Sequence, residues 1–168
     1  EQAIKTAIEF ETRVHAAYVA AERKATDPMG KRVFSTLAKE EQGHLDYLQS
    51  RLREWQAGGR ITVESLATVV PDRLRLGAGK KTLDGAKKTP TAERPLELTL
   101  LQQALGLEQE TSGFYQKMVS ELDGDGQRLF ARFVEIEQGH VAIVQAEIDS
   151  VSGLGFWFDV PEFRLEEA

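Results

Sequence analysis

Apolar side chains recur along this chain at the three- and four-residue steps of an amphipathic helix, in four long stretches. In the first, over about 1–26, Ile4, Ile8, Glu11, His15 and Tyr18 share one face. Asp27-Pro28 then supplies an N-cap residue and a proline at the first helical position. They open a second helix over about 28–56, which stops at Gly58-Gly59. The third runs over about 95–122, with Leu98, Leu101, Leu105, Glu108, Tyr115, Val119 and Leu122 as its stripe. Asp123-Gly124-Asp125-Gly126 reads as a tight turn that ends it, and a fourth helix follows over about 127–152. The short links make the first and second helices, and the third and fourth, antiparallel neighbours. The pattern predicts an all-α four-helix bundle of two similar hairpins over 1–152.

The periodicity breaks over 58–94, where prolines, glycines and the pairs Lys80-Lys81 and Lys87-Lys88 gather. Ile61 to Leu66 reads as either a turn of helix or a brief extended piece. A connection this long between helices predicts a crossover along the bundle, and the lysines read as a solvated loop. The last segment, 153–168, carries Phe156-Trp157-Phe158. Three adjacent aromatics are expected to pack on the bundle or on a neighbouring chain. A homodimer is the expected assembly, with exchanged hairpins as one form of it.

The chemistry enters through a repeat. Glu41-Gln42-Gly43-His44 returns as Glu137-Gln138-Gly139-His140, at an offset of 137 − 41 = 96. At the same offset Phe34, Leu37, Leu48, Leu52 and Trp55 map onto Phe130, Phe133, Val144, Ile148 and Val151. Each Glu and His therefore falls on the core stripe of its helix. An ionised carboxylate buried without a partner is very costly, so a metal ion is its natural partner. Each first helix adds a core glutamate: Glu11, 30 residues before Glu41, and Glu108, 29 before Glu137. At i and i+3 a Glu and a His project from one helix face. One Glu-x-x-His is a weak signal; two in register, each with its upstream glutamate, are a strong one. This donor set is recognised as that of ferritin-like di-iron and di-manganese bundles. Four carboxylates and two neutral imidazoles balance two divalent cations, and such ligands suit iron or manganese better than a soft-ligand metal.

Other residues near the stripe carry two readings each. Tyr18 and Tyr115 follow their glutamates by seven and are either plain core aromatics or hydroxyls bonded to ligand carboxylates. His15 is an extra ligand or a second-shell donor; the simpler reading is a hydrogen-bonded core histidine. Glu9, Glu22, Glu40 and Glu110 read as surface charges. The repeated Gly43 and Gly139 suggest close helix approach beside the site.

Composition narrows the classes. The chain has 168 residues, 41% hydrophobic and 29% charged, enough for one domain with a sizeable core. A net charge of −6 without basic runs argues against nucleic acid and against a polybasic membrane patch. No apolar run approaches the ~18 residues of a membrane span. The absence of cysteine excludes disulfides, thiolate metal sites and thiol catalysis but does not by itself fix the compartment. A cytoplasmic location is the expectation.

In Ala7 to Glu11 leading to Tyr18, Leu37 to His44, Leu107-Glu108 leading to Phe114-Tyr115, and Phe133 to His140, the chain resembles the rubrerythrin branch of the ferritin-like superfamily. The likeness covers the four helices, not 58–94 or the tail. It implies a non-haem di-iron centre that reduces hydrogen peroxide or oxidises ferrous iron with oxygen or peroxide. Glu41 and Glu137 would bridge, Glu11 and Glu108 would be terminal, and His44 and His140 would each hold one iron. Manganese or a mixed pair is the alternative metal content, and iron storage or delivery, or a structural di-metal bundle, the alternative role. Two departures stand out. Rubrerythrins append a four-cysteine iron site for electron entry, so this chain needs an external donor. They also carry a further glutamate one turn after the third-helix ligand, where this chain has Thr111.

Overall fold

The computed structural model describes residues 1–63, Leu66, Thr68 and 95–152. Among these the protein is a bundle of four helices with no strand: α1 (Gln2–Lys24), α2 (Pro28–Gly58), α3 (Pro95–Glu121) and α4 (Gly124–Val151). The connection expected over 58–94 and the aromatic tail lie almost wholly outside the described residues. Ile61–Val63 are neither helix nor strand.

Local chemistry sets most of the ends. Asp27 Oδ2 accepts from the Gly30 N–H at 2.9 Å, and Pro28 occupies the first helical turn, so α2 starts where the side-chain cap and fixed φ place it. Gly59 ends α2 in the left-handed region at φ 65°, its N–H on the Trp55 carbonyl at 2.7 Å. The one clear departure is the start of α4. The expected turn of 123–126 is instead the first turn of the helix, with Gln127 N–H on the Asp123 carbonyl at 3.2 Å. Gly124, at φ 54°, absorbs the sharp reversal that lets helix begin at once.

Stacking of Phe10 on Phe114 (4.8 Å) and the Arg13–Glu110 ion pair (3.2 Å) show α1 and α3 running antiparallel. His44 against His140 and Tyr47 against Phe133 show the same for α2 and α4. With α1 also antiparallel to α2, helices α2 and α3 point the same way. Two apolar clusters fill the core. One holds Val14, Tyr18, Phe34, Leu37, Leu101 and Ile143. The other holds Ala7, Leu48, Tyr115, Phe130 and Phe133. On every helix the glutamates and histidines of interest lie between the two.

The buried faces are slightly rotated from those expected. Along α3 the stripe is Glu97, Leu101, Ala104, Glu108, Thr111 and Tyr115, while Leu98 and Leu105 sit on its flank. Polar residues at 97 and 111 disguised that face. Along α1, Val14 rather than His15 takes the core position. Trp55, expected on the core stripe, is 38% exposed, because the last turns of α2 run past the start of α1, where Gln56 meets Glu1.

Glu97 ties the second hairpin to the first. Its Oε1 accepts from Thr26 N–H (3.0 Å), Thr26 Oγ1 (2.8 Å) and Asp27 N–H (3.2 Å), at the turn between α1 and α2. The Thr26 backbone donor leads in holding its carboxyl down to about 2. Glu97→Ala orphans these donors and is expected to cost ~1–3 kcal/mol, some 2–12 °C of Tm in a thermal melt. A depressed carboxylate pKa contributes stability above the unfolded value of 4.5 and loses it as pH falls toward 2. The gap between wild type and variant should therefore close between pH 4.5 and pH 2. A gap that persists at pH 2 would assign the loss to packing instead.

Candidate metal centre

In the layer between the apolar clusters, Glu11, Glu41, His44, Glu108, Glu137 and His140 converge, each at most 1% exposed. Every one comes from a face that the helical pattern directs inward. His44 Nδ1 lies 3.2 Å from Glu11 Oε2, 3.2 Å from Glu41 Oε2 and 3.6 Å from Glu137 Oε1. His140 Nδ1 lies 2.8 Å from Glu41 Oε1 and 3.6 Å from Glu108 Oε1. The donors form two overlapping groups, Glu11, Glu41, His44 and Glu137, and Glu41, Glu108, Glu137 and His140. Within each group one ligand atom per residue lies within 4.8 Å of the others. Glu41 and Glu137 belong to both.

The two tyrosines brace this layer across the hairpins. The Tyr18 hydroxyl on α1 donates to Glu108 Oε1 on α3, and the Tyr115 hydroxyl on α3 donates to Glu11 Oε1 on α1. The repeat between the two hairpins thus becomes a reciprocal exchange in space. Burial, and next the Glu108 carboxylate for Tyr18 and the Glu11 carboxylate for Tyr115, push both phenols well above 10. They remain donors at any ordinary pH. His15 is only partly buried, and no hydrogen bond joins it to the six among the described residues. Thr111 is buried, but its hydroxyl donates to the Leu107 carbonyl at 3.0 Å and supplies no carboxylate. Gly43 faces open space, so close helix approach does not explain it. Glu40, read from the sequence as a surface charge, is partly buried and reaches toward both imidazoles. Its position beside Glu41, on the edge of the same helix face, was the available signal.

Polar atoms are left over in this layer. Glu41 Oε1, Glu108 Oε2, both oxygens of Glu137, and the Nε2 atoms of His44 and His140 are buried without a hydrogen-bond partner. Each such group ordinarily costs ~1–3 kcal/mol, and a cation between them removes the penalty. The donor set, its spacing and its orphaned atoms therefore fit a metal ion.

Cation-free, the layer is balanced by protons. Burial, then the neighbouring Glu41, pushes Glu11 up to about 8. Burial, then Glu11, Glu108 and Glu41, pushes Glu137 well up. Burial opposes the charged form of Glu41, but the imidazoles and the Glu11 hydrogen bond outweigh it and hold Glu41 well below its usual range. Burial likewise opposes imidazolium, yet Glu41 and Glu11 raise His44 to about 10, and Glu41 and Glu108 raise His140 well up. The raised Glu11 loses stability as pH rises from 4.5 to about 8, once the unfolded carboxyl ionises and the folded one does not. The raised His44 adds stability below 6.5 and loses it as pH rises toward 10. Both act in one direction, so the Tm of cation-free protein is expected to fall from pH 6 to pH 9. Cations compete with the same protons, so uptake should release protons into an indicator dye and tighten as pH rises. Uptake independent of pH would place the cation elsewhere.

No family model, curated protein or solved structure matches this chain. None of the described helices is long and apolar enough to cross a membrane.

Proposed function

We propose that the six buried residues hold two cations, bridged by Glu41 and Glu137, and that the protein is a ferritin-like di-iron oxidoreductase of the rubrerythrin kind. One observation carries the reading: two four-residue donor groups that share two carboxylates, in a layer walled by apolar clusters on both sides. The charges agree, since four carboxylates and two neutral imidazoles offset two divalent ions. Topology supports it as well. Parallel α2 and α3 need a connection that returns along the bundle, as in ferritin-like folds.

A pair of iron ions would supply two electrons at once, enough to cleave the O–O bond of hydrogen peroxide to water with two protons taken up. The chain's own residues set the conditions. Tyr18 and Tyr115 hold Glu108 and Glu11 through one oxygen each, which leaves Glu108 Oε2 unbonded and Glu11 Oε2 against His44 Nδ1. Phe133, Leu37 and Ile143, all fully buried, keep bulk water from the layer. That low dielectric strengthens every charge interaction inside. Electrons come from an outside donor, because the chain has no cysteine for an iron–thiolate relay.

Thr111 favours a second reading, iron oxidation and handling without peroxidase turnover. Its hydroxyl is spent on its own helix, so the fifth carboxylate of rubrerythrins has no counterpart at that position. The test is anaerobic loading with ferrous iron, then one equivalent of peroxide, followed by stopped-flow absorbance. Fast oxidation by peroxide and slow oxidation by oxygen supports the peroxidase. Fast oxygen consumption with mineral growth supports iron handling, and no redox change leaves a structural di-metal bundle. Metal analysis of the purified protein separates iron from manganese.

A further inference from the structure

The six donors are at most 1% exposed, so a cation must reach them through the wall of the bundle. One place in that wall carries ligands of its own. Glu40, partly buried on α2, has a carboxylate oxygen that forms a group with one ring nitrogen each of His44 and His140, all within 4.8 Å of one another. The Thr68 hydroxyl donates to Glu40 Oε2 and so orients the carboxylate. The two imidazoles lie nearly parallel, with centroids 5.3 Å apart and an interplanar angle of 12°. Their Nδ1 atoms face the inner carboxylates at 2.8–3.2 Å. Neither Nε2 has a hydrogen-bond partner. Two buried imidazoles and a carboxylate, unbonded to one another, are the donors of a three-ligand cation site with an open position. Donors at ~2.1 Å from one tetrahedral cation stand ~3.4 Å apart, which a small contraction of this group reaches. The repeat sharpens the point: the α4 counterpart of Glu40 is Ile136, which is buried and offers no ligand. The mouth is asymmetric where the centre is symmetric.

We propose that Glu40, His44 and His140 form an outer position for a divalent cation, through which cations pass into the six-residue centre. This rests on the reading of the six as a cation centre, because the imidazoles are shared. A neutral imidazole offers a lone pair on one nitrogen at a time. While the inner position is vacant, a cation entering the outer one displaces one ring proton from each imidazole to solvent, and it leaves the outer position as Nδ1 engages. Thr68 and Glu40 set the mouth, and the histidines swing the ligand field from outside to inside.

The test uses Co²⁺ alone as probe, with the full chain. Glu41→Ala/Glu137→Ala removes both shared inner carboxylates and leaves the outer three residues. This variant is expected to keep one Co²⁺ per chain with the strong visible band of four-coordinate cobalt, and to lose it when Glu40→Gln is added. Glu40→Gln alone is expected to reach the wild-type final cobalt content about tenfold more slowly in stopped flow, since the negative charge at the mouth no longer concentrates cations. Glu40→Asp should recover most of the rate. A folded double variant that binds no Co²⁺, or Glu40→Gln loading at the wild-type rate, overturns the outer position. Should the double variant fail to fold, the loading rate of Glu40→Gln decides. Wild type and double variant each taking a single Co²⁺, lost with Glu40→Gln, would keep the outer position and sink the inner centre.

Discussion

Loading the centre with iron or manganese is expected to raise Tm by roughly 15–30 °C over the cation-free protein, the largest change in stability this molecule should show. Each site filled at a thousand times its dissociation constant adds ~4.1 kcal/mol, so two add about 8 kcal/mol. For a chain of this size each kcal/mol is worth ~2–4 °C. The effect is large because the cation-free layer holds protons in place of cations. Burial and a neighbouring carboxylate, Glu41 beside Glu11 and Glu11 beside Glu137, favour the protonated form of both, and several oxygens of the layer meet no donor. Cations satisfy all of these at once. The check is a pair of differential scanning calorimetry traces, taken after chelation and after reconstitution. Superimposable traces would remove the reason offered here for carboxylates in the core.

The second large effect is expected from the shared carboxylates. Glu137→Gln keeps the volume but replaces the proposed bridging carboxylate with an amide, which cannot join two cations. It should lose both ions on titration, and oxidation of ferrous iron should drop by more than the ~100-fold that outer-sphere partners carry. Glu41→Gln should do the same. Glu11→Gln and Glu108→Gln each touch one donor group and should retain one ion. Stability should move the other way. Both Glu137 oxygens are buried without partners, so the cation-free Glu137→Gln protein should melt no lower than wild type, within ~1 kcal/mol or above it. A variant that keeps two ions, or one that loses both after Glu11→Gln, would show that the bridging assignment is wrong.

Much of the centre was legible because a helix converts spacing into direction. Glu41 with His44, and Glu137 with His140, fall on a stripe of Phe, Leu and Val whose burial needs no other information. The exact repeat made two weak motifs into one strong one. Residues at the margin of a stripe were harder. His15 and Val14 differ by a single 100° step, and packing of α1 against α3 chose Val14 for the core. Leu98 and Leu105 gave way to Glu97 and Ala104 on α3 because a buried glutamate with three donors is as well placed as a leucine, and periodicity cannot see those donors. The start of α4 at Gly124 rather than Gln127 has the same origin: glycines lower helix propensity, but the tight reversal from α3 requires one at φ 54°.

The sequence alone determined four helices, their pairing into hairpins, and the six inward-facing donors, since each follows from local periodicity and from the cost of burying charge. Only the tertiary structure decided which partners meet across helices. That Tyr18 bonds Glu108 and Tyr115 bonds Glu11, rather than each bonding the glutamate of its own helix, depends on how α1 and α3 lie against each other. That Glu97 fastens the first hairpin, and that Glu40 reaches both imidazoles, likewise depends on contacts between residues distant in the chain. Spacing fixes the face on which a side chain stands; the relative placement of two helices fixes what that face meets.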